Sequence, residues 1–120
     1  LFTFIVILVG TFVTGAGPHA GDTSAPRLKV SIQLIATIHG FLVVALLAYS
    51  VVLLTQQNIV RRPIYFFLAA SLVQGLIGYI QYLIGVPELL VALHLAGSAL
   101  VWSSAWNIRL LQRTTREERP

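Results

Sequence analysis

The feature that most constrains this chain is the grouping of its apolar residues into long blocks bounded by charged or helix-breaking residues. Charged residues make up 10% of the sequence and hydrophobic residues 57%, whereas an ordinary soluble domain carries about 25% charge. A block of about 20 apolar residues in an α-helix matches the hydrocarbon thickness of a bilayer. We therefore expect an all-α membrane protein that forms a single four-transmembrane-helix up-down bundle.

Turn and loop residues divide the chain into four predicted helices. These cover residues 1–14, 31–55, 63–84 and 87–111. Ser31 is a suitable N-cap, Pro63 suits a first helical turn, and Glu88 favours the positive end of the last helix dipole. The polar residues after 111 are expected to fray. The first block reaches only about 21 Å as a helix, so we expect residues upstream of it and a longer parent protein.

The basic residues indicate which side of a membrane each end of the bundle faces. Six arginines fall beside the second connection and the C-terminus: Arg61, Arg62, Arg109, Arg113, Arg116 and Arg119. The opposite side carries Arg27 and Lys29. The positive-inside rule predicts that the arginine-rich side is cytoplasmic and that the GPHAGD loop, residues 17–22, faces outward. We expect the protein to lie in a bacterial plasma membrane and to bind no nucleic acid. The sequence leaves open whether it forms a homo-oligomer.

Two ionisable side chains lie inside the predicted spans, and both are histidines, His39 and His94. Each lies about 10–12 Å below the outer start of its helix, and the second and fourth helices of an up-down bundle are diagonal. The two imidazoles are therefore expected to face each other across the core. Small residues flank them: Ala36, Gly40, Gly97 and Ser98. This pattern predicts an iron-containing haem with two axial histidines, and interhelical hydrogen bonding is the alternative for either histidine alone.

Other polar residues are secondary candidates for cofactor binding. Gln74 and Gln81 share one face of the third helix. We expect them to hydrogen-bond either to a cofactor edge or axial imidazole or to another helix. Arg27 and Lys29 either pair with haem propionates or anchor the chain at the interface. His19 in the outer loop is expected to contact a propionate, a quinol electron donor, a partner or only solvent. A zinc site or a proton relay is disfavoured, because the spans contain only two histidines, no cysteine and no carboxylate in mid-membrane.

Three segments resemble the C-terminal half of haem A synthase: Thr14–Asp22, Leu72–Tyr82 and Pro87–His94. They occur in order and with suitable spacing, and the resemblance covers nearly the whole chain. It implies an eight-helix parent protein made of two similar four-helix bundles, each with a pair of histidines. The N-terminal bundle of that family holds haem O and oxidises a ring methyl to the formyl of haem A. The C-terminal bundle holds haem b as an electron-transfer cofactor.

Within this resemblance, His39 and His94 match the axial histidines of the haem b bundle. The catalytic half of the family carries a glutamate three residues before its first histidine, where this chain has Ala36. The resemblance thus implies the cofactor half of an oxidoreductase, which binds haem b alone but needs the N-terminal half to make haem A. Two other functions stay open: a stand-alone b-type cytochrome that exchanges electrons with quinone, and a non-redox membrane scaffold.

Overall fold

The computed structural model describes residues 1–17, 24, 26–56 and 60–117, the last three of these as backbone only. Its elements are four helices: α1 (Phe2–Ala16), α2 (Ile32–Leu54), α3 (Arg61–Ile84) and α4 (Glu88–Glu117). The four predicted helices are confirmed, and their bounds agree to within two residues everywhere except at the end of α4. The predicted all-α class is therefore correct.

The helix ends follow from local side-chain and backbone chemistry. Ser31 caps α2, because its hydroxyl accepts a hydrogen bond from the backbone N–H of Leu34 at 3.3 Å. Helix α3 ends at Gly85, whose φ of +83° is a left-handed conformation that glycine adopts readily. The following Val86 also has a positive φ, and its N–H donates to the carbonyl of Gln81 at 2.9 Å. This tight turn leads directly into α4, so the two helices run antiparallel.

The C-terminal part of α4 differs from the prediction that the polar residues after 111 fray. The helix continues to Glu117. The added residues include glutamine, arginine and glutamate, which are good helix formers, and no glycine or proline interrupts them. The helix therefore continues after the apolar block has ended.

Side-chain contacts fix the antiparallel register of the first hairpin. Gly17 at the end of α1 lies against the Ile32 side chain at the start of α2. At the other end of the hairpin, the rings of Phe2 and Tyr49 are 6.3 Å apart. In the second hairpin, Gly78 of α3 lies against His94 of α4. Consecutive helices therefore run in opposite directions.

The four helices form a ring of neighbours. Helices α1 and α3 each pack against both α2 and α4, whereas α2 and α4 are not neighbours in the described part of the chain. The predicted diagonal relation of the second and fourth helices is therefore correct. The molecule is 59 Å long and 21 Å across in both other directions.

The outer surface of the bundle is apolar and its interior is partly polar. Among the described residues, five hydrophobic and five polar side chains are buried, while large side chains such as Phe41 and Leu83 are 73% and 62% exposed. Helices α2, α3 and residues 88–114 of α4 are long and apolar enough to cross a membrane, and α1 is a shorter apolar helix of 15 residues. Three of the four helices therefore have the length and the composition of membrane-spanning helices.

Candidate functional site

His39 and His94 lie on the two diagonal helices and at the same level of the bundle. Gly75 in α3 lies next to Val43 in α2. Because these helices run antiparallel, His39, one turn before Val43, lies level with the turn of α3 that contains Gly78. Gly78 in turn contacts His94. Both imidazoles are half-buried.

Each imidazole lies against a glycine on the preceding helix of its hairpin. A Cβ built on Gly10 of α1 would stand 3.0 Å from Cε1 of His39, and one built on Gly78 of α3 would stand 3.2 Å from Cε1 of His94. Both distances are shorter than ordinary van der Waals contacts. At this level, the bundle therefore carries two imidazoles on one diagonal and two glycines on the other.

The two rings are in equivalent hydrogen-bonding states. In both rings the Nδ1 atom is buried and has no hydrogen-bond partner among the described residues. A neutral imidazole carries a proton on one ring nitrogen and a lone pair on the other. Each ring therefore retains a nitrogen that can bind a metal ion.

Two more buried polar atoms, both on α3, lack partners in the described part of the chain. They are the hydroxyl of Ser71, whose residue is only 6% exposed, and the side-chain oxygen of Gln74. Buried polar atoms are nearly always hydrogen-bonded, so their lack of partners needs an explanation. Gln74 lies about one turn from Gly78 and Ser71 about two turns.

The sequence suggested that the small residues beside the histidines leave open space. This expectation is wrong for Gly97. The carboxamide of Gln74 occupies the position where a side chain on Gly97 would lie. Gly97 thus accommodates Gln74 and does not provide room beside His94. Gly40 is exposed, and a Cβ on it would have no neighbour within 4 Å.

The secondary candidates are distributed over two regions. Gln81 is buried, at 8% exposure, on α3. Arg27 and Lys29 are exposed in the segment that leads into α2, which is attached to α1 by a hydrogen bond from the Leu28 N–H to the Gly15 carbonyl at 2.9 Å. His19, which the sequence analysis named as a candidate contact for a propionate or a quinol, lies outside the described residues.

Gly10 is the site residue that the sequence reasoning missed. Its place opposite His39 depends on the register of the α1–α2 hairpin, and the long connection between these helices leaves that register open. A glycine within an otherwise bulky apolar block was the available signal, because an isolated glycine in a helix often marks a close approach of another group.

The two imidazoles, each with an unpartnered nitrogen, are side chains of the type that binds haem iron. No group of three or more His, Cys, Asp or Glu side chains forms among the residues described. No protein-family model, curated protein sequence or solved structure matches this chain. Its function is therefore inferred from its own residues and geometry.

Proposed function

We propose that this chain is an integral membrane bundle that binds one haem b between His39 and His94 and transfers electrons through it. The observation that carries the proposal is a pair of imidazoles on diagonal helices at one level, each with a buried nitrogen that lacks a partner. The resemblance of three segments to haem A synthase supports the more specific role of its cofactor half. In that role, the chain relays electrons for oxidation of the haem O methyl group by an N-terminal partner bundle.

The surface of the bundle supports its insertion into a membrane. Its exterior exposes large apolar side chains along the helices, and patches of this extent on soluble proteins cause association. Arg61 and Arg62 begin α3, and Arg109 and Arg113 lie in the last turns of α4, at the same end of the antiparallel bundle. By the positive-inside rule we assign this end to the cytoplasm of a bacterium and the opposite end to the outside.

The residues of the chain have distinct tasks in this proposal. His39 and His94 would hold the haem iron through the ring nitrogens that lack a partner. The bound haem would supply one-electron transfer. Arg27 and Lys29 lie at the outer end, where they are available to the propionates.

A visible spectrum of the purified protein tests the proposal. After titration with haemin in detergent, the wild type is expected to give the spectrum of a six-coordinate low-spin b-type haem. His39→Ala and His94→Ala are each expected to abolish it. Thr37→Ala and Ser103→Ala are matched controls on the same helices, because both side chains are exposed and both hydroxyls donate to their own helix. An unchanged spectrum in both histidine variants would refute the ligand assignment.

A further inference from the structure

We propose that a groove between α3 and α4 at the arginine-rich end of the bundle binds one anionic phospholipid of the cytoplasmic leaflet. Arg62 and Asn107 hold the lipid phosphate, and an acyl chain lies against the apolar part of the groove. This site depends on the membrane insertion and orientation proposed above and does not depend on the haem. It gives a ligand to a surface that electron transfer between the histidines does not use.

The groove lies where α3 begins and α4 ends. Its volume is about 530 Å³, which falls within the range of about 300–1,000 Å³ that is typical of small-molecule sites. Arg62 and Phe66 of α3 and Leu100, Ser103 and Asn107 of α4 are among the residues that line it. These five residues are exposed, so the groove faces the surroundings of the bundle and is accessible to lipid.

The polar and apolar parts of the groove lie at different depths. Phe66 follows Arg62 by about one turn of α3, and Leu100 precedes Asn107 by about two turns of α4. Because the two helices are antiparallel, Phe66 and Leu100 lie deeper in the membrane than Arg62 and Asn107. A phospholipid has the same order, with its phosphate at the interface and its acyl chains below.

The polar end of the groove offers donors for a phosphate. Within the described part of the chain, neither the guanidinium of Arg62 nor the carboxamide of Asn107 is engaged in a hydrogen bond or an ion pair. A guanidinium carries five N–H donors and binds phosphate in a bidentate manner, and a carboxamide adds two donors. The hydroxyls of Ser103 and Ser104 donate to carbonyls of their own helix, so Arg62 and Asn107 are the donors for this ligand.

The charge at this end of the bundle favours an anionic ligand. Residues 56–62 and 106–120 together contain six arginines and two glutamates, a net charge of +4. The guanidinium of Arg109 lies 5.9 Å from the ring centroid of Trp106, within the range of a cation–π contact, whereas Arg62 lines the groove. Basic pockets between membrane-spanning helices on the cytoplasmic side bind anionic lipid headgroups. Arg62 is therefore the arginine that gives this groove its specificity.

Native mass spectrometry tests the site by counting the lipids bound to each chain. The purified protein is titrated in detergent with phosphatidylglycerol and, separately, with phosphatidylcholine of the same acyl chains. Arg62→Gln removes the charge inside the groove, and Arg61→Gln removes the same charge one residue away from it. Ser103→Phe fills the groove without a change in charge. All three positions are exposed, and circular dichroism checks that each variant retains its helices.

The wild type is expected to bind one phosphatidylglycerol about tenfold more tightly than phosphatidylcholine, as for a charge-assisted bidentate contact. Arg62→Gln is expected to lower the affinity for phosphatidylglycerol about tenfold. Arg61→Gln is expected to lower it no more than about threefold, because an exposed charge outside the site is screened. Ser103→Phe is expected to lower it about tenfold by occupying the place of the lipid.

Three results would overturn the lipid site. Equal affinity of the wild type for the two lipids would show that the groove does not select an anionic headgroup. Equal losses in Arg61→Gln and Arg62→Gln would indicate general attraction by charge. A dimer whose peak disappears in Ser103→Phe would assign the groove to a second copy of the chain. Each of these results leaves the haem titration unaffected, and a wild type without a low-spin haem spectrum would refute the proposed electron transfer alone.

Discussion

Gln74 of α3 and Gly97 of α4 are in contact across the α3–α4 interface, because the carboxamide of Gln74 occupies the position where a side chain on Gly97 would lie. Gly97 is three residues after His94 on the same helix. Close packing of these two helices around the histidine depends on the small size of Gly97.

Gly97→Ala is expected to destabilise the protein by about 1–3 kcal/mol, because the new methyl group overlaps the Gln74 carboxamide. In a Gln74→Ala background, the same substitution is expected to be nearly neutral. Unfolding in mixed micelles measures the four free energies of this double-mutant cycle. An equal cost of Gly97→Ala in both backgrounds would show that Gln74 is not what Gly97 accommodates.

Two adjacent phenylalanines test the orientation of α3. Phe67 is 3% exposed inside the bundle, and Phe66 is 61% exposed on its surface. Phe67→Ala is expected to cost about 2 kcal/mol or more through the cavity it leaves, whereas Phe66→Ala is expected to stay within about 0.5 kcal/mol. The free energies of unfolding of the two variants provide the comparison. Equal losses would contradict the assignment of Phe67 to the buried face of α3 and of Phe66 to its exposed face.

The absence of native cysteine allows the membrane orientation to be tested with single cysteines. Gln56→Cys marks the arginine-rich end and Pro26→Cys the opposite end, and both positions are exposed. We expect a membrane-impermeant maleimide to label Pro26→Cys in intact cells and to label Gln56→Cys only after permeabilisation. The reverse pattern would contradict the assigned orientation, and labelling of both in intact cells would contradict a membrane-spanning bundle.

The fold was largely predictable from the sequence because apolar blocks and helix-end residues are local signals. Ser31, Gly85 and the short turn after it give helix bounds within two residues. The end of α4 was not predictable in this way, because polar residues with good helix propensity continue a helix as readily as they leave it. The common level of His39 and His94 followed from counting residues along two helices of the same direction.

The details of the site were not predictable, because they depend on the rotation of each helix about its axis. Helix α2 is apolar on nearly every side, and the few polar residues on one face of α3 give its rotation only approximately. The contact of Gly10 with His39 and the occupation of the space at Gly97 by Gln74 are consequences of that rotation. They emerge only when the four helices are packed together.

The most direct test of the central claim is a count of the imidazoles bound to the iron. The ferric protein is to be prepared with ¹⁵N-labelled histidine and loaded with haemin, and pulsed electron paramagnetic resonance then reports the coordinating imidazole nitrogens. The expected result is two equivalent histidine ligands in the wild type, with one lost in His39→Ala and one in His94→Ala. Coordination by one histidine or none, or the same count in either variant, would contradict a haem held between these two residues.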